Sequence, residues 1–143
     1  MQRYEKLYIV TRRDLSPGLQ AAQVAHAAFQ FGYEHRPLAH AWLRESNFLV
    51  ILSTEDEEEL TLLGKKAETL NLPVSWFREP DIEDEVTAIA IAPSPATVEL
   101  TSHLSLALSE MVTKKKVSEI DSMLRFVRME TDDEIIINIR GGA

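Results

Sequence analysis

The sequence predicts an α/β domain, a four-stranded mixed sheet in a three-layer α/β/α arrangement, followed by a C-terminal extension. Two observations carry this. Short runs rich in β-branched and aromatic residues (LYIVTR, NFLVILS, VSWFR, TAIAIA) are separated, through most of the chain, by longer segments whose apolar residues recur at helical spacing. The exception is EPDIEDEV, between the last two runs, which is too short to hold a crossover helix. Those two strands are therefore expected to be antiparallel or non-adjacent.

The elements follow in order. LYIVTR (7–12) is the first strand and turns polar at Arg12. Ser16 and Pro17 start the first helix, with Ser16 as N-cap and Pro17 in the first turn, where a missing N–H costs nothing. Its pattern runs to about Tyr33, and Gln23, His26 and Gln30 form a polar stripe at i, i+3, i+7 on an alanine-rich helix. Pro37 to Leu43 suggests a second, shorter helix, and NFLVILS (47–53) reads as a fully buried strand. Thr54 to Glu57 reads as a capping box for a third helix with Leu60, Leu63, Ala67 and Leu70 inward, and the acidic run 55–59 suits its dipole.

VSWFR (74–78) and TAIAIA (87–92) complete the expected sheet. After Pro93 to Pro95 a final helix is expected from Ala96 to about Met111, with Val98, Leu104 and Leu108 inward. Beyond the solvated lysines 114–116 the pattern is ambiguous, with helical spacing at Val117, Ile120, Leu124 and Val127 and hairpin-like LRFVRM and IIINI; a short helix and a hairpin are expected. This extension, 113–143, is too small to make its own core and is expected to pack on the domain, 1–112, or on a second subunit.

Composition narrows the function classes. A chain of 143 residues fits one domain with a self-sufficient core, and the absence of cysteine excludes disulfides, thiolate zinc sites and cysteine nucleophiles. No apolar run approaches the roughly 18 residues of a membrane span, and MQRYEKLYIV has no signal-peptide core, so a cytoplasmic protein is expected. His35 and His40 lie five apart with no third ligand type nearby, which argues against a metal site, and no cofactor is implied. The net charge of −8 disfavours nucleic acid at first sight. Its distribution softens that objection: residues 1–44 carry six Lys/Arg and three Asp/Glu, whereas 45–85 carry three and twelve. A phosphate-binding face on the N-terminal third is permitted.

LYIVTRRDL, PGLQAAQVAHAA, VILSTEDEEELTLLGKKAETLNLPVSWFRE and VTAIAIAP, in that order over about residues 6–108, resemble the type 2 peptidyl-tRNA hydrolases of archaea and eukaryotes. The likeness is closer to a branch with a shorter loop before the last strand. It implies a mixed four-stranded sheet between helices and metal-independent hydrolysis of the ester joining a peptide to the terminal ribose of tRNA. Gly18, Gln23 and His26 match the family's helix motif, and Thr87 matches the threonine opening its fourth strand. Leu19 stands where the family usually has a lysine, and Glu79 where it has an aspartate; the loop beyond Glu79 is about four residues shorter, without its threonine.

Ester hydrolysis requires a positioned water, a base to activate it and donors for the developing oxyanion. The candidates are His26 as base, Gln23 as orienter or donor, Glu79 as carboxylate and Thr87 as hydroxyl donor. The N-terminus of the first helix, at Ser16 to Gly18, offers free N–H groups to a phosphate, and Gly18 presents no side chain in its way. Arg12, Arg13 and Arg36 are candidates to supplement it. A buried His26 would instead be a core histidine, and Gln23 a partner for a strand end. Three function classes follow: a peptidyl-tRNA hydrolase, a non-catalytic tRNA- or protein-binding module on the same fold, and an esterase or amidase for a small acyl group. The apolar extension makes a homodimer the expected assembly.

Overall fold

The structure, a computed structural model, describes residues 5–109. The first strand, β1, is Lys6–Arg12, and the first helix, α1, is Pro17–Glu34. A shorter helix, α2 (Arg36–Glu45), leads to β2 (Phe48–Thr54), α3 (Glu57–Thr69) and β3 (Val74–Glu79). A single 3-10 turn at Pro80–Ile82 joins β3 to β4 (Glu85–Ile91); α4 (Pro95–Thr101) and β5 (Ser105–Leu106) follow. The sheet order is β3-β4-β1-β2-β5. Among the described residues only β1 and β2 run parallel, as a connection through two helices allows, while β3 and β4 pair antiparallel across their short connection.

The layers follow from the strand alternation. Leu7, Ile9, Ala88, Ala90 and Ala92 face α1, where Val24, Ala27 and Phe31 close one core cluster. Tyr8, Val10, Leu52, Ile89 and Ile91 face the other way, onto Leu60, Leu63 and Ala67 of α3 and Leu100 of α4. Gly64 of α3 is fixed by contact, because a Cβ there would lie 2.2 Å from the Trp76 indole. Asn47 and Asn71 adopt left-handed φ of 59° just beyond α2 and α3, a conformation asparagine tolerates at helix ends.

Several expectations are corrected. The sheet has a fifth strand, because the last helix stops at Thr101 rather than near Met111. Thr101 Oγ1 donates to the Thr97 carbonyl inside the helix, and Ser102 Oγ to that of Glu99, an acceptor that a further helical turn would have used. The chain then turns to the sheet edge, where the Ala107 N–H donates to the Ile51 carbonyl. Leu104 packs against the core as expected, but Val98 and Leu108 are exposed.

The cap of α3 also moves. Asp56, not Thr54, accepts from the Glu59 N–H, and the Glu59 carboxylate accepts from the Glu55 N–H. Glu57 is thereby released to accept from the N–H of Val86. Leu70, expected inward, is half exposed beyond the end of α3. The β2 strand is buried only in its second half, since Phe48 and Leu49 precede the stretch that β5 pairs and α2 buries no residue of its own. The expected helix and hairpin after residue 112, and the boundary there, lie outside the described residues.

Candidate active site

The site forms where α1 crosses β3 and the start of β4. On α1, Gln23 and His26 are three residues apart and so share a face; on β3, Phe77 and Glu79 are two apart and share the face that looks at α1. The two spacings are comparable, about 4.5 Å along the helix and about 6.6 Å along the strand. Glu79 meets Gln23, whose Nε2 donates to its carboxylate at 2.8 Å. His26 lies on Phe77, the rings stacked at 4.4 Å between centroids and 9° between planes.

Thr87 enters through an irregularity of the sheet. Phe77 pairs with Ala88 and Arg78 with Val86, so Thr87 has no partner in the ladder and forms a bulge. Its hydroxyl donates to Gln23 Oε1 at 2.6 Å, and its carbonyl accepts from Thr11 Oγ1 at 2.9 Å. The Gln23 carboxamide is thereby fixed in one orientation, its oxygen towards Thr87 and its nitrogen towards Glu79. Gln23 is 1% exposed and Thr87 0%, whereas Glu79 is half-buried and His26 exposed. The inner two groups thus hold Glu79, while His26 rests on Phe77.

Glu79 is held below the usual carboxylate range, first by the Gln23 hydrogen bond, then by the Asp81 backbone N–H and the charge of His26. It is therefore a carboxylate anion at neutral pH and a weak base. Among the described residues, nothing hydrogen-bonds the ring nitrogens of His26, and the residue is exposed.

The binding candidates separate. Gly18 lies in the exposed first turn of α1, with nothing within 4 Å of where a Cβ would sit. Ser16 occupies the N-cap position but its side chain makes no cap bond, which leaves the first-turn N–H groups of α1 without that acceptor. Leu19 beside it is half-buried. Arg12 is turned inward, 6% exposed, bonding both carboxylate oxygens of Asp14 at 3.0 and 2.9 Å and reaching Glu85 and the Val86 carbonyl at 3.1 Å. Asp14 first, then Glu85, hold its guanidinium protonated, and it ties β1 to the start of β4. Arg13 is half-buried and pairs with Glu55 at 3.0 Å. Arg36 is exposed at the start of α2, beyond the end of α1 that lies about 16 Å along the axis from Gln23, and does not join the cluster.

Sequence reasoning missed Phe77 and Thr11. Alternation along VSWFRE places Phe77 on the Glu79 face, a signal present in the sequence; the hydroxyl of Thr11 has no such signal, since its acceptor is 76 residues away.

Taken together, the fold and this cluster define an α/β domain that gathers a buried amide and hydroxyl, a carboxylate and an exposed imidazole at one helix–sheet seam. The chain belongs to the peptidyl-tRNA hydrolase PTH2 family, whose model it matches over residues 5–107. It is 34% identical over 118 residues to a peptidyl-tRNA hydrolase of Thermococcus sibiricus, covering 74% of this chain and 99% of that one. A peptidyl-tRNA hydrolase of Saccharolobus islandicus is 31% identical over 104 residues, or 63% and 87% of the two chains. A solved structure of a protein of unknown function from Agrobacterium tumefaciens aligns with a TM-score of 0.56 at 14% identity, covering 74% of this chain and 98% of that one; it bears on the fold alone.

Proposed function

We propose that this protein hydrolyses the ester between a peptidyl or N-blocked aminoacyl group and the 3′-terminal ribose of tRNA, without a metal. Family membership supports the activity, and the exposed His26 beside an ionised, anchored Glu79 is the observation that carries the mechanism. A carboxylate held at low pKa is a poor proton acceptor, so His26 takes the proton of the attacking water and Glu79 stabilises the imidazolium that forms. The water oxygen bonds to the ester carbonyl carbon, the carbon–ribose oxygen bond breaks, and the proton passes from His26 to the leaving oxygen. The products are a free acyl acid and tRNA with its hydroxyl restored.

Gln23 and Thr87 act behind this pair by fixing Glu79, since both are too buried to meet substrate. The open N-terminus of α1 lies about 12 Å along the axis from His26, a span that suits a phosphate near the tRNA end rather than the oxyanion. Arg13 supplements it from the neighbouring loop. Exposed apolar side chains at Leu43 and Leu49 support the homodimer reading, which a monomer in light scattering would remove. Among the described residues no helix is long and apolar enough to cross a membrane, in keeping with a cytoplasmic site of action.

The test is release of N-acetyl amino acid from N-acetyl-aminoacyl-tRNA by the purified chain. Turnover by the wild type that is lost in His26→Ala is expected; salt-sensitive tRNA binding with no turnover would leave the binding-module reading in its place. Equal turnover of a small acyl ester, without tRNA dependence, would select the small-acyl esterase.

A further inference from the structure

We propose that Phe77 is a positioning residue for His26, the platform that holds an otherwise mobile imidazole at the water-activating position. The inference rests on the reading of His26 as the base and adds a residue to it. An exposed side chain on a helix surface ordinarily exchanges between rotamers on a fast timescale. His26 is exposed and has no hydrogen bond among the described residues to fix it, unlike Gln23 and Glu79, which fix each other. What holds its ring is one face of Phe77, nearly parallel and 4.4 Å away. Stacking of this kind restrains the ring plane while leaving both nitrogens at the open edge.

Phe77 is itself well anchored. It packs against the core cluster under α1, and its backbone pairs with Ala88 as the last regular step before the Thr87 bulge. The same strand segment therefore sets both members of the working pair, Glu79 through a hydrogen bond and His26 through a ring face. A base displaced by about 1 Å can lose about a hundredfold in rate, so an unrestrained imidazole would show its cost in kcat rather than in substrate binding.

The experiment compares Phe77→Leu and Phe77→Tyr with the wild type in the intact chain, reading hydrolysis of N-acetyl-aminoacyl-tRNA and the NMR shifts of the His26 ring protons. Leucine keeps an apolar side chain without a ring; tyrosine restores the ring. The expected result is a kcat about a hundredfold lower in Phe77→Leu with KM within about twofold, loss of the ring-current shift at His26, and recovery of both in Phe77→Tyr. The proposal is overturned if Phe77→Leu retains wild-type kcat while His26→Ala abolishes it, or if the His26 shifts are the same with and without the phenyl ring. If Phe77→Leu does not fold, Phe77→Tyr alone decides: a His26 shift or kcat unlike wild type in a folded protein counts against it. The NMR arm needs no turnover, so a wild type without His26-dependent hydrolysis would remove the functional reading while the stacking is still judged on its own.

Discussion

The two faces of the sheet are built from the same strands to opposite ends. Beyond the Thr87 bulge the alternation of β4 sends Ala88 and Ala90, and Ala92 just after the strand, towards α1 and Ile89 and Ile91 towards α3; Val86, before the bulge, joins the α3 side. Large aliphatic side chains fill the α3 face, which meets Leu60, Leu63 and Leu100 and buries apolar surface in the ordinary way. Alanines on the α1 face let the helix approach closely. There three buried polar groups, Gln23, Thr87 and Thr11, are linked in a single chain of hydrogen bonds that ends at Glu79. One face secures the domain and the other is spent on orienting a site, so damage to each should be read out differently.

The largest effect on stability should come from the α3 face. Ile89→Ala, at a fully buried position, should cost about 2–5 kcal/mol in denaturant unfolding, while whatever protein remains folded keeps its hydrolytic rate. Next comes Gly64→Ala, whose new methyl meets the Trp76 ring; a loss of about 1–3 kcal/mol and a lower Tm are expected, again with little change in kcat. Thr87→Val inverts the pattern. It keeps the shape but leaves Gln23 Oε1 without its donor, so about 1–3 kcal/mol is lost and kcat falls as well, because Glu79 loses its fixed partner. A Thr87→Val enzyme with full kcat would show that the two faces are not divided in this way.

The smallest effect concerns acid. Asp14 is lowered from its ordinary value of 3.8 by the Arg12 hydrogen bond, and Glu79 from 4.5 by Gln23. A carboxylate with a depressed folded pKa stabilises the fold fully above its unfolded pKa and loses that contribution as pH falls through the folded one. Tm should therefore decline as pH drops below about 4, and Asp14→Asn should flatten part of that decline. A Tm profile unchanged by Asp14→Asn would show that the Arg12–Asp14 pair contributes nothing in solution.

The sequence made much of this legible where the signal is local. Pro17 after Ser16 marks the start of α1, the Ala/Ile alternation of β4 shows in its letters, and Gln23 and His26 declare a shared face by spacing alone. What was hidden depends on partners far along the chain. Arg12 looks like a phosphate ligand until Glu85, 73 residues away, takes part of its guanidinium. Helical spacing after Pro95 cannot reveal that Ser102 bonds back onto the preceding turn where α4 stops. Asp56 and Thr54 are both good caps, and only the path of the strand into α3 chooses between them.

The bulge at Thr87 has a consequence of another kind. Thr87 and Ala88 are consecutive yet both look towards α1, which an unbroken strand does not permit. The site therefore depends on a matter of length, one residue more on β4 than on its neighbour, as well as on which side chains are present. Removing Thr87 outright would restore an even count between Val86 and Ala88, and the sheet could close its ladder without it. Substitutions grade the activity of such a site up or down; a change in strand length switches its inner anchor off in a single step.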